Sequence, residues 1–163
     1  MNLRSVTTPT PDGDFHLIVD DAEVTRASGF GDIDELAARL PDELQGVVIE
    51  PVAKHSYQKS VIAYYAGDKT ALDAIARTQD GSEFQKKVWA AISAIPHGKT
   101  VSYKQLAEAS GRPTAFRAAG TICGLNRLIL LVPCHRVLKS DGGIGSYLYG
   151  PAIKESLLAR EAA

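Results

Sequence analysis

Five consecutive apolar residues, Leu128-Ile129-Leu130-Leu131-Val132, run into Pro133-Cys134-His135-Arg136, and this stretch constrains the chain most. An unbroken apolar run of that length, closed by proline, has no polar face to offer solvent and reads as a short buried strand. The cysteine then sits where the strand emerges, beside an imidazole and a guanidinium. Free cysteine titrates at about 8.5 and neighbouring cations lower that value, so Cys134 is a candidate nucleophile. A lone Cys-His pair is more often a core thiol next to a surface imidazole, because free cysteine is among the most buried residue types. The rest of the chain has to decide between the two.

With 163 residues the chain has room for one domain or two small ones. Its 45% hydrophobic and 23% charged residues are those of a globular protein, and no stretch approaches the roughly 18 apolar residues of a membrane span. Met1-Asn2-Leu3-Arg4 leads into a stretch of Thr, Pro and Asp and carries no secretory signal, so a cytoplasmic location without membrane association is expected. In that compartment a disulfide between Cys123 and Cys134 is not expected, and two thiols with four scattered histidines match no metal spacing. Neither metal nor cofactor is called for. Charge is divided unevenly. Residues 1–80 carry seven Lys/Arg against fourteen Asp/Glu, and residues 81–163 eleven against five, so the halves hold −7 and +6. A basic half suits a phosphate-backbone partner, and equally a solvated charged surface.

In the acidic half, Phe15-His16-Leu17-Ile18-Val19 reads as a strand and 23–27 as its hairpin partner. A short helix follows over 32–40, acidic in its first turn and stopped by Pro41, then a strand at 47–49. Tyr57, Val61, Tyr64 and Tyr65 give a helical stripe over 55–66 ending at Gly67. The ambiguous segment 71–81 is the expected boundary between an α/β supporting domain, 1–80, and a working domain, 81–163. Ser82 caps a helix to about 95 with Phe84, Val88, Trp89, Ile92 and Ile95 on one face.

Ser102 caps a helix over 103–109 that Gly111 closes, and Pro113-Thr114 opens a second helix to about 124. Two short helices joined by a tight Gly-containing turn form a helix-turn-helix pattern. On the second helix Arg117, Gly120, Thr121 and Gly124 share one face by their spacing, one long cation on a strip of small residues. Each helical glycine costs about 1 kcal/mol relative to alanine, so close approach of the backbone to another surface is the expected reason.

Phe84-Gln85, Val88-Trp89, Ser102-Tyr103, Arg117-Ala118, Asn126, Pro133-Cys134-His135-Arg136-Val137, Lys154, Leu157-Leu158 and Glu161 resemble, in order and spacing, the O6-alkylguanine-DNA alkyltransferases. Asn126-Arg127-Leu128 is similar to the carboxy-terminal domain of the bacterial adaptive-response alkyltransferase. The resemblance implies a ribonuclease-H-like α/β amino-terminal domain followed by a helical, winged-helix-like domain bearing the helix-turn-helix. It implies direct DNA repair: stoichiometric, irreversible transfer of an alkyl group, chiefly methyl, from O6-alkylguanine, with O4-alkylthymine as a further candidate. The substrate base would be flipped out of double-stranded DNA. By the same resemblance, Cys134 attacks the alkyl carbon while His135, through a water and oriented by Glu161, takes the thiol proton. Tyr103 donates to the leaving guanine, and Asn126 braces the turn before the cysteine. Arg117 enters the base stack, with Thr114, Ala115, Phe116, Ala118, Gly120 and Thr121 on the DNA. Val137, Tyr147, Leu148 and Tyr149 line the base pocket, where Leu148 and Tyr149 replace smaller residues and are expected to narrow it. A monomer in solution is implied, with clustering on DNA as an open question. Two other readings stay open: an alkylated-DNA binding module that does not transfer, against which Cys134 argues, and a cysteine hydrolase using Cys134, His135 and Glu161, which lacks an evident oxyanion site.

Overall fold

The computed structural model describes residues 1–163 and divides into two compact units, Met1–Gln79 with Arg127–Leu131, and Asp80–Asn126 with Val132–Ala163. It is a mixed α/β fold with six α-helices.

The first unit is a four-stranded sheet ordered β3-β2-β1-β4, formed by β1 (Leu3–Thr10), β2 (Gly13–Val19), β3 (Thr25–Phe30) and β4 (Ile49–Val52). The β1-β2 and β2-β3 pairs are antiparallel, and β4 lies parallel to β1. No sequence signal announces β1, because Thr7-Thr8-Pro9-Thr10 reads as a turn-rich leader; its buried residues Leu3, Ser5, Val6 and Thr8 nonetheless put it inside the sheet. Helix α1 (Ile33–Ala37) starts at Asp32, whose carboxylate accepts from the Asp34 and Glu35 amides. It buries Leu36 in a core with Leu3, Ile18, Ala27, Leu40 and Leu44. Helix α2 (Ser56–Tyr65) is capped by His55, whose Nδ1 accepts from the Tyr57 amide, and buries Tyr57, Val61 and Tyr64.

The expected strand at 128–132 is not one. All five residues are buried, yet only Leu128 bridges to Ser28; the remainder is turn, with Leu130 at φ +72°. Complete burial erases the periodicity that tells strand from turn. Its backbone groups are satisfied one by one: the Ser28 hydroxyl donates to the Ile129 carbonyl at 2.7 Å and the Arg77 guanidinium to Leu131 at 2.6 Å.

The second unit holds α3 (Glu83–Ser93), β5 (Val101–Ser102), α4 (Tyr103–Ala109), α5 (Phe116–Gly124), β6 (Val137–Leu138) and α6 (Pro151–Ala162). Helices α3 and α4 both begin with a reciprocal capping box, Ser82 with Gln85 and Ser102 with Gln105. The Trp89 indole on α3 donates to the Ile122 carbonyl of α5 at 3.3 Å. Helix α5 starts at Phe116, later than expected, because residues 112–115 close a turn through the Ala115 amide and Arg112 carbonyl. Thr114 and Ala115 therefore precede the helix. Strands β5 and β6 pair in parallel, which ties the start of α4 to the segment just after Cys134.

Candidate active site

Cys134 opens a single 3-10 turn, Cys134–Arg136. Pro133, at φ −79° and ψ 64°, is the centre of an inverse γ-turn, and the Cys134 amide donates to the Val132 carbonyl at 2.8 Å. The same carbonyl accepts from the Asn126 side-chain amide at 2.9 Å. Asn126 is wholly buried, so it fixes the carbonyl two residues before the thiol.

His135 and Arg136 converge on one carboxylate. His135 Nε2 lies 2.9 Å from Glu161 Oε2, while Arg136 Nε and a terminal nitrogen donate to Oε1 and Oε2 at 2.8 and 3.0 Å. Arg136 also donates to the Ile95 carbonyl at 2.7 Å, anchoring the group to the end of α3. Burial drives the His135 pKa below 6.5, against the pull of Glu161 and helped by the Arg136 and Lys154 charges, so the imidazole is neutral at pH 7. Its Nδ1 is buried and has no protein partner. A neutral ring oriented by a carboxylate at one nitrogen, with the other unbound, is what a general base beside Cys134 requires.

Lys154, which the sequence did not single out for a role, is fully buried and donates to the Val137 carbonyl at 2.7 Å and to Ser146 at 3.3 Å. Lys154, Leu157 and Glu161 form the buried face of α6, and two charges on such a face are the signal that marks it. Burial lowers the Lys154 pKa, while the Cys134 and Cys123 thiols hold it up. Cys123, on α5, is itself pushed up to about 12, by burial first and then by Cys134, and remains a thiol. A thiol held protonated in this way is no nucleophile, which leaves Cys134 as the candidate.

The Tyr103 hydroxyl is raised above its ordinary value by burial and then by the Cys123 and Cys134 thiols, so it keeps its proton and can donate. Tyr103 lines a cleft of about 290 Å³ with Phe116 and Arg117 from α5 and Lys139, Gly145 and Ser146 from the segment after β6. Gly120 also faces it, and a Cβ there would lie 3.6 Å from the Tyr103 ring. Gly145, at φ +72°, brings its backbone to the Tyr103 hydroxyl, 3.3 Å from where a Cβ would stand. Arg117, Ala118, Thr121 and Gly124 are exposed on α5, and Ala119, Ile122 and Cys123 are its buried side. A Cβ at Gly124 would meet nothing within 4 Å, so no close approach inside the chain accounts for it. Val137 reaches the site through its carbonyl. Tyr147, Leu148 and Tyr149 are not among the cleft-lining residues; Leu148 is 48% exposed, and Tyr149 stands edge-on to Tyr147 at 6.2 Å.

No group of three or more His, Cys, Asp or Glu is placed to hold a metal ion, and no helix is long and apolar enough to cross a membrane.

Fold and site define a mixed α/β protein whose second unit presents a thiol beside a buried, carboxylate-held imidazole and a cationic helix. Residues 83–163 match the family described as 6-O-methylguanine DNA methyltransferase, DNA binding domain, and in that half the chain belongs to this family. It is 51% identical over 82 residues to the regulatory protein Ada of Salmonella typhimurium, a match covering 50% of this chain and 23% of that protein. It is 41% identical over 99 residues to the methylated-DNA–protein-cysteine methyltransferase of Methanosarcina barkeri, covering 61% of this chain and 62% of that one. A crystal structure of a variant of the M. tuberculosis O6-methylguanine methyltransferase superposes with a TM-score of 0.79 at 29% identity, over 99% of this chain and 93% of that one. The chain thus spans less than two thirds of the length of these curated relatives.

Proposed function

We propose that this protein repairs DNA directly, by moving an alkyl group, chiefly methyl, from O6 of guanine onto Cys134. The observation that carries the reading is His135: fully buried, neutral, held by Glu161 at 2.9 Å through one nitrogen and unbound by protein at the other, next in sequence to a thiol. Cys134 Sγ forms a bond to the alkyl carbon as the carbon–O6 bond breaks, and the bonding pair leaves with guanine. The thiol proton passes to His135 through a water, and the Tyr103 hydroxyl donates to guanine N3. One S–C bond replaces one O–C bond; His135 then releases the thiol proton to solvent and the Tyr103 phenolate regains one from it, so that overall one proton leaves the thiol and one is gained by the guanine ring. The product thioether is a poor leaving group, so each chain acts once.

The exposed strip of α5 supports a DNA surface in which α4 and α5 act as a helix-turn-helix and Arg117 fills the space of the flipped base. Thr114, Ala115, Phe116, Ala118, Gly120 and Thr121 flank it. Val137 serves the base pocket through its carbonyl, while Tyr147, Leu148 and Tyr149, which stand outside the lining of the cleft, border the pocket and do not narrow it. In finer terms the first unit is ribonuclease-H-like, the second winged-helix-like, with β5 and β6 supporting the wing. The protein works as a cytoplasmic monomer on duplex DNA, O4-alkylthymine being a secondary substrate. The names of the relatives support the chemistry: methylated-DNA–protein-cysteine methyltransferase in the curated protein, O6-methylguanine methyltransferase in the solved structure.

Incubation with an excess of duplex carrying one O6-methylguanine, followed by peptide mapping, tests the reading. One methyl per chain on Cys134 is expected, and none in Cys134→Ser, which should still bind the lesion duplex. Repair exceeding the amount of protein, or a methyl elsewhere, contradicts it.

A further inference from the structure

The reaction leaves one cation in the cleft unused. Lys139 and Arg117 both line it, and neither is ion-paired to a carboxylate. O6-alkylguanine is uncharged, so the base offers neither of them a counter-charge. Arg117 projects from α5 toward the duplex in the reading above. Lys139 comes from the segment after β6 and is held in place by its own turn.

That turn is closed at both ends. The Lys139 amide donates to the Gly143 carbonyl at 2.9 Å, and the Gly142 amide returns to the Lys139 carbonyl at 2.9 Å. Asp141, the one acid in the turn, accepts from the Gly143 amide at 2.8 Å and so is committed to backbone, not to the lysine. Gly143 is the second constraint: a Cβ there would stand 3.3 Å from Lys139 Cδ and 2.9 Å from Asp141 Oδ1. The lysine stem passes over a residue that has no side chain to obstruct it. A flexible cation laid across a glycine, unpaired and facing a cleft, has lost part of its freedom before any ligand arrives.

We propose that Lys139 grips a DNA backbone phosphodiester flanking the extruded nucleotide, across the cleft from Arg117. The inference rests on the repair reading above and adds to it a phosphate-positioning residue outside the helices. A fixed cation there holds the extruded nucleotide by its backbone and leaves the base to Tyr103 and the thiol. A carboxylate-bearing alkyl group on O6 is the other source of negative charge that the same ammonium could meet.

Single-turnover transfer separates these sources. Lys139→Met should slow transfer from O6-methylguanine in duplex about tenfold, with a loss at least fivefold larger than on the free O6-methylguanine base. It should also reduce the slope of log binding constant against log salt by about 0.9, the value of one phosphate contact. Lys139→Arg should restore both. Gly143→Ala, which displaces the stem, should fall between Lys139→Met and the unmodified protein. A duplex with a neutral methylphosphonate at the flanking phosphate should slow the unmodified protein and leave Lys139→Met no slower than before. Equal losses on duplex and free base, or an unchanged salt slope, overturn the proposal. So does a loss confined to O6-carboxymethylguanine, which would assign the cation to the lesion. If the unmodified protein transfers no methyl to Cys134 from either substrate, the repair reading itself fails and this inference falls with it.

Discussion

Two buried histidines, one in each unit, are used in opposite ways. His16, in the sheet of the first unit, has both ring nitrogens engaged, Nδ1 with the Thr7 hydroxyl at 2.8 Å and Nε2 with the Gly31 carbonyl at 2.6 Å. It ties β2 to β1 and to the end of β3, and nothing is left over. His135 in the second unit is more deeply buried, yet only Nε2 is engaged and its partner is a full carboxylate. Burying a polar atom without a partner costs about 1–3 kcal/mol, so a fold tolerates it where the atom has another use. The contrast extends to their surroundings. Three buried ionic side chains, Arg136, Lys154 and Glu161, surround the imidazole in the second unit. There the chain carries the cost of buried charge around one thiol.

The largest effect should come from cutting that set at its centre. Glu161→Gln removes the carboxylate shared by His135 and Arg136, and stranding a buried charge costs about 3–5 kcal/mol. Chemical denaturation should show a loss of that size, together with loss of alkyl transfer; a protein that keeps both stability and transfer would show that the pairing is incidental.

Next, His135→Gln should lower single-turnover transfer by about 10²- to 10⁴-fold, the range of a positioned general base. A residual rate within tenfold of the unmodified protein would reduce His135 to the status of His16. A smaller effect concerns stability and pH. Burial lowers the His135 pKa, so between its folded value and 6.5 the unfolded chain binds more protons and stability rises with pH. Its contribution is complete above 6.5 and is lost as pH falls through the folded value. The melting temperature of the unmodified protein should therefore drop more steeply below pH 6.5 than that of His135→Gln, and parallel curves would argue against a depressed pKa. The smallest effect is expected at His16 itself. His16→Gln should cost about 1–2 kcal/mol, as two hydrogen bonds are weakened, and leave transfer within twofold. A tenfold loss of transfer would mean that the first unit takes part in the chemistry.

Helix starts were legible wherever a side chain writes them. Ser82 with Gln85 and Ser102 with Gln105 are capping boxes in sequence and in structure. His55 is also a cap, but histidine seldom takes that position and no local pattern announces it. The 128–132 run was legible as buried and not as turn, since the partners of its Ile129 and Leu131 carbonyls, Ser28 and Arg77, are remote in sequence. At the site, Cys134 and His135 stand out by adjacency. Glu161 could be placed only through the family resemblance, and Lys154 not at all by role, because a charged residue on a helix is read as solvated until the packing shows otherwise. Tyr103 and Ser146 meet in one cleft through β5, β6 and the Gly145 backbone, a convergence no linear spacing encodes.

The most direct test of His135 as the base for Cys134 is the pH dependence of single-turnover methyl transfer from a lesion duplex, in the unmodified protein and in His135→Gln. The unmodified protein should hold its rate as pH falls from 8 through 6.5 and lose it only below, where the buried imidazole finally protonates. His135→Gln should be slower throughout and should gain rate with rising pH as its unassisted thiol ionises. Profiles of the same shape in the two proteins would contradict the assignment.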